Sequence, residues 1–120
     1  MSESAFNPAA VERLVKLGGQ KFASDMMEMF SSYGGKKLVE ARQAQQAGNL
    51  AALAAAAHPL KSSAGNVGAL RVQELAAQVE QAAEEQKADL AATQLAELEC
   101  AFADAKNFVE QEKSKLTKPS

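Results

Sequence analysis

The sequence predicts an all-α fold, an antiparallel four-helix bundle with an additional short N-terminal helix, and three observations carry that reading. Of the 120 residues, 47% are hydrophobic but only 5% are aromatic. Ala supplies much of that apolar share, and Ala has the best helix propensity. The residues that favour strands (Val, Ile, Thr and the aromatics) are sparse. Finally, long segments carry apolar residues at spacings of three and four, separated by short stop-and-cap signals, which is the pattern of packed helices with short connections.

The elements follow in order. Asn7-Pro8 reads as an N-cap followed by Pro at the first helical position. The short helix this opens, about residues 8–17, places Val11, Leu14 and Val15 on one face and stops at Gly18-Gly19. It is expected to cap one end of the bundle, whose body spans about residues 20–112. A long segment from Gln20 to Ala47 carries Phe22, Met26, Met29, Phe30 and Tyr33 at helical spacing. Gly34-Gly35 interrupts it at a cost of about 2 kcal/mol in helix propensity, so a bend or a local irregularity is expected there. Gly48-Asn49 is the next stop and cap.

The third helix has its seam at Leu50, Leu53, Ala57, Leu60, Ala64 and Val67, and the stretch to Gly68 reads as a tight turn. The fourth carries Leu70, Val72, Leu75, Val79 and Ala83. After the polar run Glu84–Asp89, the last helix shows Ala91, Leu95, Leu98, Phe102, Ala105 and Val109. Residues 113–120 are polar and are expected to fray.

Composition and charge exclude several function classes. The net charge is −2 with both signs dispersed, so no basic patch invites nucleic acid. A single Cys rules out an internal disulfide and suits a reducing compartment. No secretory leader pattern opens the chain, and no apolar stretch nears the ~20 residues that span a bilayer. A cytoplasmic protein is expected. One His and one Cys far apart in the chain argue against a zinc site within it, and the C-x-x-C-H of haem attachment is missing. No Gly-rich phosphate loop or kinase motif set occurs, so neither ATP binding nor self-phosphorylation is expected.

His58 is the only histidine. At ~100° per residue it lies roughly 140° from the mean direction of the third-helix seam, so its imidazole should face solvent. Its helical neighbours include Ala55, Lys61 and Ser62, with Gly65 two turns on. The ring would thus stand in a clearing of small side chains with one cation beside it. That suits an imidazole approached by another protein's phosphorylated acidic site, with the lysine offsetting charge on a transferring group. One ring nitrogen would attack phosphorus while the other keeps its proton against an acceptor. Glu80 is the candidate acceptor. About the turn at Gly68, His58 and Glu80 stand ~15 Å and ~18 Å along adjacent helices at ~1.5 Å per residue. A solvated helix charge is an equal reading of Glu80 from spacing alone.

These residues resemble a family. Ala57-His58-Pro59-Leu60-Lys61-Ser62-Ser63-Ala64-Gly65-Asn66-Val67-Gly68-Ala69 is similar to the histidine phosphotransfer (HPt) signature A-H-x-L-K-[GS]-S-x-x-x-x-G-A. Val72, Leu75, Val79 and Glu80 continue the likeness. Upstream, Phe30, Leu38, Ala41, Gly48 and Leu53 suit the pattern. The resemblance covers roughly residues 7–112, and only Ala57 to Glu80 is specific.

It implies one HPt-like domain over residues 1–120 that carries a phosphoryl group on His58 between receiver-domain aspartates in two-component signalling. It implies Lys61 near the phosphoryl group, Glu80 on the other ring nitrogen, and an apolar docking patch beside the histidine. Phe22, Met26 and Met29 are candidates for that patch, although residues at such spacing are more often core. Ala55, Ser62 and Gly65 would complete the docking surface. The expected partners are receiver domains of response regulators and of a hybrid sensor histidine kinase. Mg²⁺ is expected only in the partner, with no metal or cofactor held by this chain. A monomer is expected, and Met1 with the polar tail suits a stand-alone protein. An adaptor bundle that binds or sequesters receivers without phosphoryl chemistry is the alternative. Two positions depart from the pattern. Ser62 stands where many members have Gly, and Pro59, inside a helix, lacks a donor and crowds the Ala55 carbonyl. Pro59 and Gly68 are read as structural positions, with a kink expected at Pro59.

Overall fold

The computed structural model describes residues 5–117. It contains four helices, α1 (Pro8–Gln46), α2 (Leu50–Val67), α3 (Leu70–Glu84) and α4 (Ala88–Thr117). Each helix packs on its neighbours in sequence, and α4 closes the ring onto α1. The antiparallel register shows in paired side chains. Arg42 and Glu28 of α1 meet Glu99 and Lys113 of α4, respectively, while His58 and Gly65 of α2 face Glu80 and Gln73 of α3. The predicted class, an all-α four-helix bundle, is what the chain adopts.

Local chemistry sets the element ends. Asn7 Oδ1 accepts from the Ala9 N–H at 3.1 Å, with Pro8 at the first turn. Asn49 Oδ1 accepts from the Ala52 N–H at 3.0 Å. Gly68 ends α2 in the left-handed conformation (φ 80°), which lets the Ala69 N–H reach the Ala64 carbonyl at 2.9 Å. α3 ends without a glycine, and Gln86 takes the positive φ of 65° instead.

The short first helix exists as an arm of α1. Gly19 (φ 93°, ψ 177°) breaks the helical path inside α1, so residues 8–18 and 20–46 run in different directions. The arm buries Val11 and Leu14. Its leading residues strap the α2–α3 turn: the Asn7 N–H donates to the Gly68 carbonyl (2.8 Å) and the Leu70 N–H to the Ala5 carbonyl (2.9 Å). Phe6 stacks on Phe108 with centroids 4.5 Å apart.

The core runs along the bundle axis through Met27, Phe30, Leu53, Leu60, Leu75, Leu95, Leu98 and Val109. Every seam residue expected of the last helix is buried. So are those of α2 except Leu50, which is half-buried at the first turn, and those of α3 except Leu70, which is exposed. Fully buried alanines on all four helices (Ala41, Ala57, Ala64, Ala76, Ala91, Ala105) let the backbones approach closely.

Three expectations are corrected. Gly34-Gly35 does not bend α1. Gly34 is instead a packing position, since a Cβ there would lie 2.6 Å from the Phe102 ring. Pro59 sits inside an unbroken α2. It deprives only the Ala55 carbonyl of a donor, and Ala55 is on the exposed face, where water can serve. The tail does not fray at residue 113. α4 continues to Thr117, held by Lys113 against Glu28 and Lys115 against Glu112. Residues 118–120 lie outside the described residues.

Candidate functional site

α2 turns its buried stripe (Leu53, Ala57, Leu60, Ala64, Val67) inward and leaves His58 on the opposite side. The imidazole is 66% exposed. α3 presents Glu80 at the same height, and its side chain is only 13% exposed. Glu80 Oε2 lies 2.7 Å from His58 Nδ1, and Glu80 Oε1 lies 2.5 Å from Lys61 Nζ. One carboxylate therefore holds two side chains of the neighbouring helix.

Burial alone would push the Glu80 carboxyl up. The hydrogen bonds from Lys61 and then His58, with the charge of Lys61, outweigh it and hold Glu80 below its ordinary value. Glu80 is thus an anion at neutral pH and can only accept. The Nδ1 atom of His58 must then be the donor, so that in the neutral ring Nε2 is the atom with the lone pair. The arrangement can present a neutral, oriented imidazole nucleophile to a second molecule.

Beside the histidine, α1 and α2 enclose an apolar groove of about 380 Å³. Met26, Met29 and Tyr33 form one wall, and Pro59, Ser62 and Asn66 the other. Met29 is 59% exposed and Tyr33 42%.

The structure gathers some of the sequence candidates and separates others. His58, Lys61 and Glu80 meet, and Met26, Met29 and Ser62 line the groove. Ala55 is exposed one turn before the histidine. Phe22 is half-exposed but lies under Gly18, outside the groove lining. Gly65 is half-buried two turns after the histidine, with the Gln73 amide of α3 lying where a Cβ would come within 2.6 Å. Tyr33, Pro59 and Asn66 also line the groove, which sequence reasoning does not find for them. A signal exists for Tyr33, since it continues the α1 spacing through Met26 and Met29 on the face that the buried Met27 and Phe30 leave outside. Among the described residues, no group of three or more His, Cys, Asp or Glu side chains could hold a metal ion. Among them, too, no helix is long and apolar enough to cross a membrane.

A helical bundle with one exposed, carboxylate-oriented histidine beside an apolar groove defines a class of protein-docked histidine carriers. The Hpt domain family model matches residues 25–108, and the chain belongs to that family. Its role is histidine phosphotransfer in phosphorelays, in which Hpt domains interact with receiver domains. The fold is similar to histidine-containing phosphotransfer protein B (HptB) of Pseudomonas aeruginosa, with a TM-score of 0.88 at 21% identity over 95% of this chain and 98% of that one. It is also similar to a rice protein assigned to the histidine-containing phosphotransfer proteins, with a TM-score of 0.78 at 20% identity over 96% of this chain and 86% of that one. No curated protein sequence matches the chain.

Proposed function

We propose that His58 is the residue that carries the phosphoryl group in this chain, taken through Nε2 from a receiver aspartyl phosphate. The observation behind this reading is the ring's engagement: Nδ1 is held by Glu80 at 2.7 Å while the ring is two-thirds exposed. In the transfer, the Nε2 lone pair forms the N–P bond and the aspartyl O–P bond breaks, its electron pair leaving with the carboxylate. No proton is released. The ring keeps its Nδ1 proton against Glu80 and becomes a cationic phosphoimidazole. The reverse step hands the group to a second receiver.

Lys61 offsets charge on the transferring group and Glu80 fixes the ring. The groove of Met26, Met29, Tyr33 and Ser62 seats the receiver. The partners are receiver domains of response regulators and of a hybrid sensor histidine kinase, and the receiver brings the Mg²⁺. The chain itself works as a carrier without cofactor, ATP site or autokinase activity. It acts as a monomer in the cytoplasm, one histidine serving one phosphoryl group. Incubation with a phosphorylated receiver should place acid-labile, base-stable phosphate on this chain. A chain that binds the receiver tightly yet never acquires phosphate would make it an adaptor instead.

A further inference from the structure

We propose that Lys61 changes partner during the transfer cycle, pairing with Glu80 while His58 is free and with the phosphoryl group once His58 carries it. This rests on the reading of His58 as the acceptor and adds a second task for Glu80, the parking of the lysine.

The argument is one of charge and reach. With the ring in the neutral form that attacks phosphorus, Lys61 is the full cation on Glu80, at 2.5 Å. Glu80 is mostly buried, so its charge needs that partner. Phosphorylation at Nε2 changes both sides at once. The ring, still holding its Nδ1 proton, becomes a cation already in hydrogen-bond contact with Glu80 Oε2. The carboxylate then has a full positive partner without the lysine. Meanwhile a phosphoryl dianion has arrived on the outer side of the ring, where it needs a cation. Lys61 is three residues from His58 on the same helix face and one-third exposed, so its flexible four-carbon stem can swing to it without moving the backbone. Each state thus leaves every charge paired. With Lys61 fixed on Glu80 throughout, the phosphorylated site would crowd two cations on one carboxylate and leave the dianion bare.

The test is the ¹⁵Nζ resonance of Lys61 in the full chain, before and after labelling with phosphoramidate, a donor small enough to make receiver docking irrelevant. The hand-over predicts that this resonance moves on phosphorylation. It also predicts that Glu80→Gln displaces it in the free protein and leaves it in place in the phosphorylated one. A Lys61 signal that stays put when His58 is labelled, or one that Glu80→Gln displaces equally in both states, overturns the hand-over and leaves the carrier role standing. Absence of a phosphohistidine ³¹P signal, or undiminished protein-bound phosphate in His58→Gln, overturns the carrier role and the hand-over with it.

Discussion

His58 Nδ1 and Glu80 Oε2 stand 2.7 Å apart although 22 positions separate them in the chain. The contact exists because α2 and α3 form a tight hairpin whose Gly68 turn puts both residues at one height. A surface histidine is ordinarily free to spin, and this one is pinned by a carboxylate that is itself pinned by Lys61.

Replacing the histidine should therefore remove the chemistry and spare the fold. His58→Gln touches an exposed side chain and leaves the core packing intact. Phosphate labelling from a receiver or from phosphoramidate should vanish, with helical content by circular dichroism unchanged. Residual labelling at the parent level would place the acceptor elsewhere.

Glu80 makes stability depend on pH in a stated direction. Its folded-state pKa is lowered from 4.5, so the unfolded chain binds its proton first as pH falls. The stabilisation is complete above 4.5 and is lost as pH drops through the lowered folded value. Urea unfolding of the parent and of Glu80→Gln should differ at neutral pH and converge in acid below that value. A difference that stays constant down the acid limb would show that the Glu80 charge contributes nothing to the fold.

Lys61→Ala should slow phosphoryl transfer in both directions. Removing one charge-assisted hydrogen bond from the transition state costs about 1–3 kcal/mol, or roughly 10–100-fold in rate. Rapid-quench kinetics with a phosphorylated receiver reads this directly. Rates within error of the parent would remove the lysine from the mechanism.

The adjacent glycines of α1 should respond with opposite signs. At Gly34 a Cβ would lie 2.6 Å from the Phe102 ring, and that ring is buried against Phe30 with centroids 5.2 Å apart. Overpacking of this kind costs about 1–3 kcal/mol and exceeds the ~1 kcal/mol gained in helix propensity, so Gly34→Ala should destabilise. Gly35 has nothing within 4 Å of a Cβ, so Gly35→Ala should stabilise by up to about 1 kcal/mol. Urea midpoints of the two variants decide it. A stabilising Gly34→Ala would mean that the Phe102 ring gives way freely.

The same glycine pair shows where sequence reasoning ends. Periodicity locates the seams of α2, α3 and α4 because burial repeats along one helix at a time. It cannot say that Gly34 makes room for Phe102, since that contact is set by how α1 and α4 meet. Counting residues along the hairpin brings His58 level with Glu80 because only one turn intervenes. The same counting gives the direction of Gly65 but not its neighbour. It stands seven residues from His58, two turns on and within about 20° of the same direction at ~100° per residue, so it faces Gln73 of α3 as His58 faces Glu80, and the Gln73 amide that lies against it is a contact between helices. In α1, spacing alone merges Phe22, Met26, Met29 and Tyr33 with Phe30 into one stripe. Burial divides it, with Phe30 in the core and Phe22, Met29 and Tyr33 outside. Pro59 suggests a kink because the local rule is sound for helix propensity, yet tertiary packing on both sides of α2 holds the helix through it.

The groove gives the docking surface a discriminating test. Ser62 is exposed, four residues beyond His58 on the same helix, and lines the groove with Met29 and Tyr33. No core position depends on it, so Ser62→Trp should change stability by less than about 0.5 kcal/mol. An indole there would fill the space between the α1 wall and the histidine and hold an incoming receiver several ångströms short. In-line attack tolerates little of that, and a displacement of about 1 Å can already cost on the order of 100-fold. Phosphoramidate needs no groove and should label Ser62→Trp at the parent rate, whereas transfer from a receiver should fall by that order or more. The ratio of the two rates is the measurement, because a variant that merely damaged the imidazole environment would lower both together. If Ser62→Trp accepts phosphate from a receiver as fast as the parent does, the receiver approaches His58 from another side. The exposed Met29 and Tyr33 would then need a different occupant.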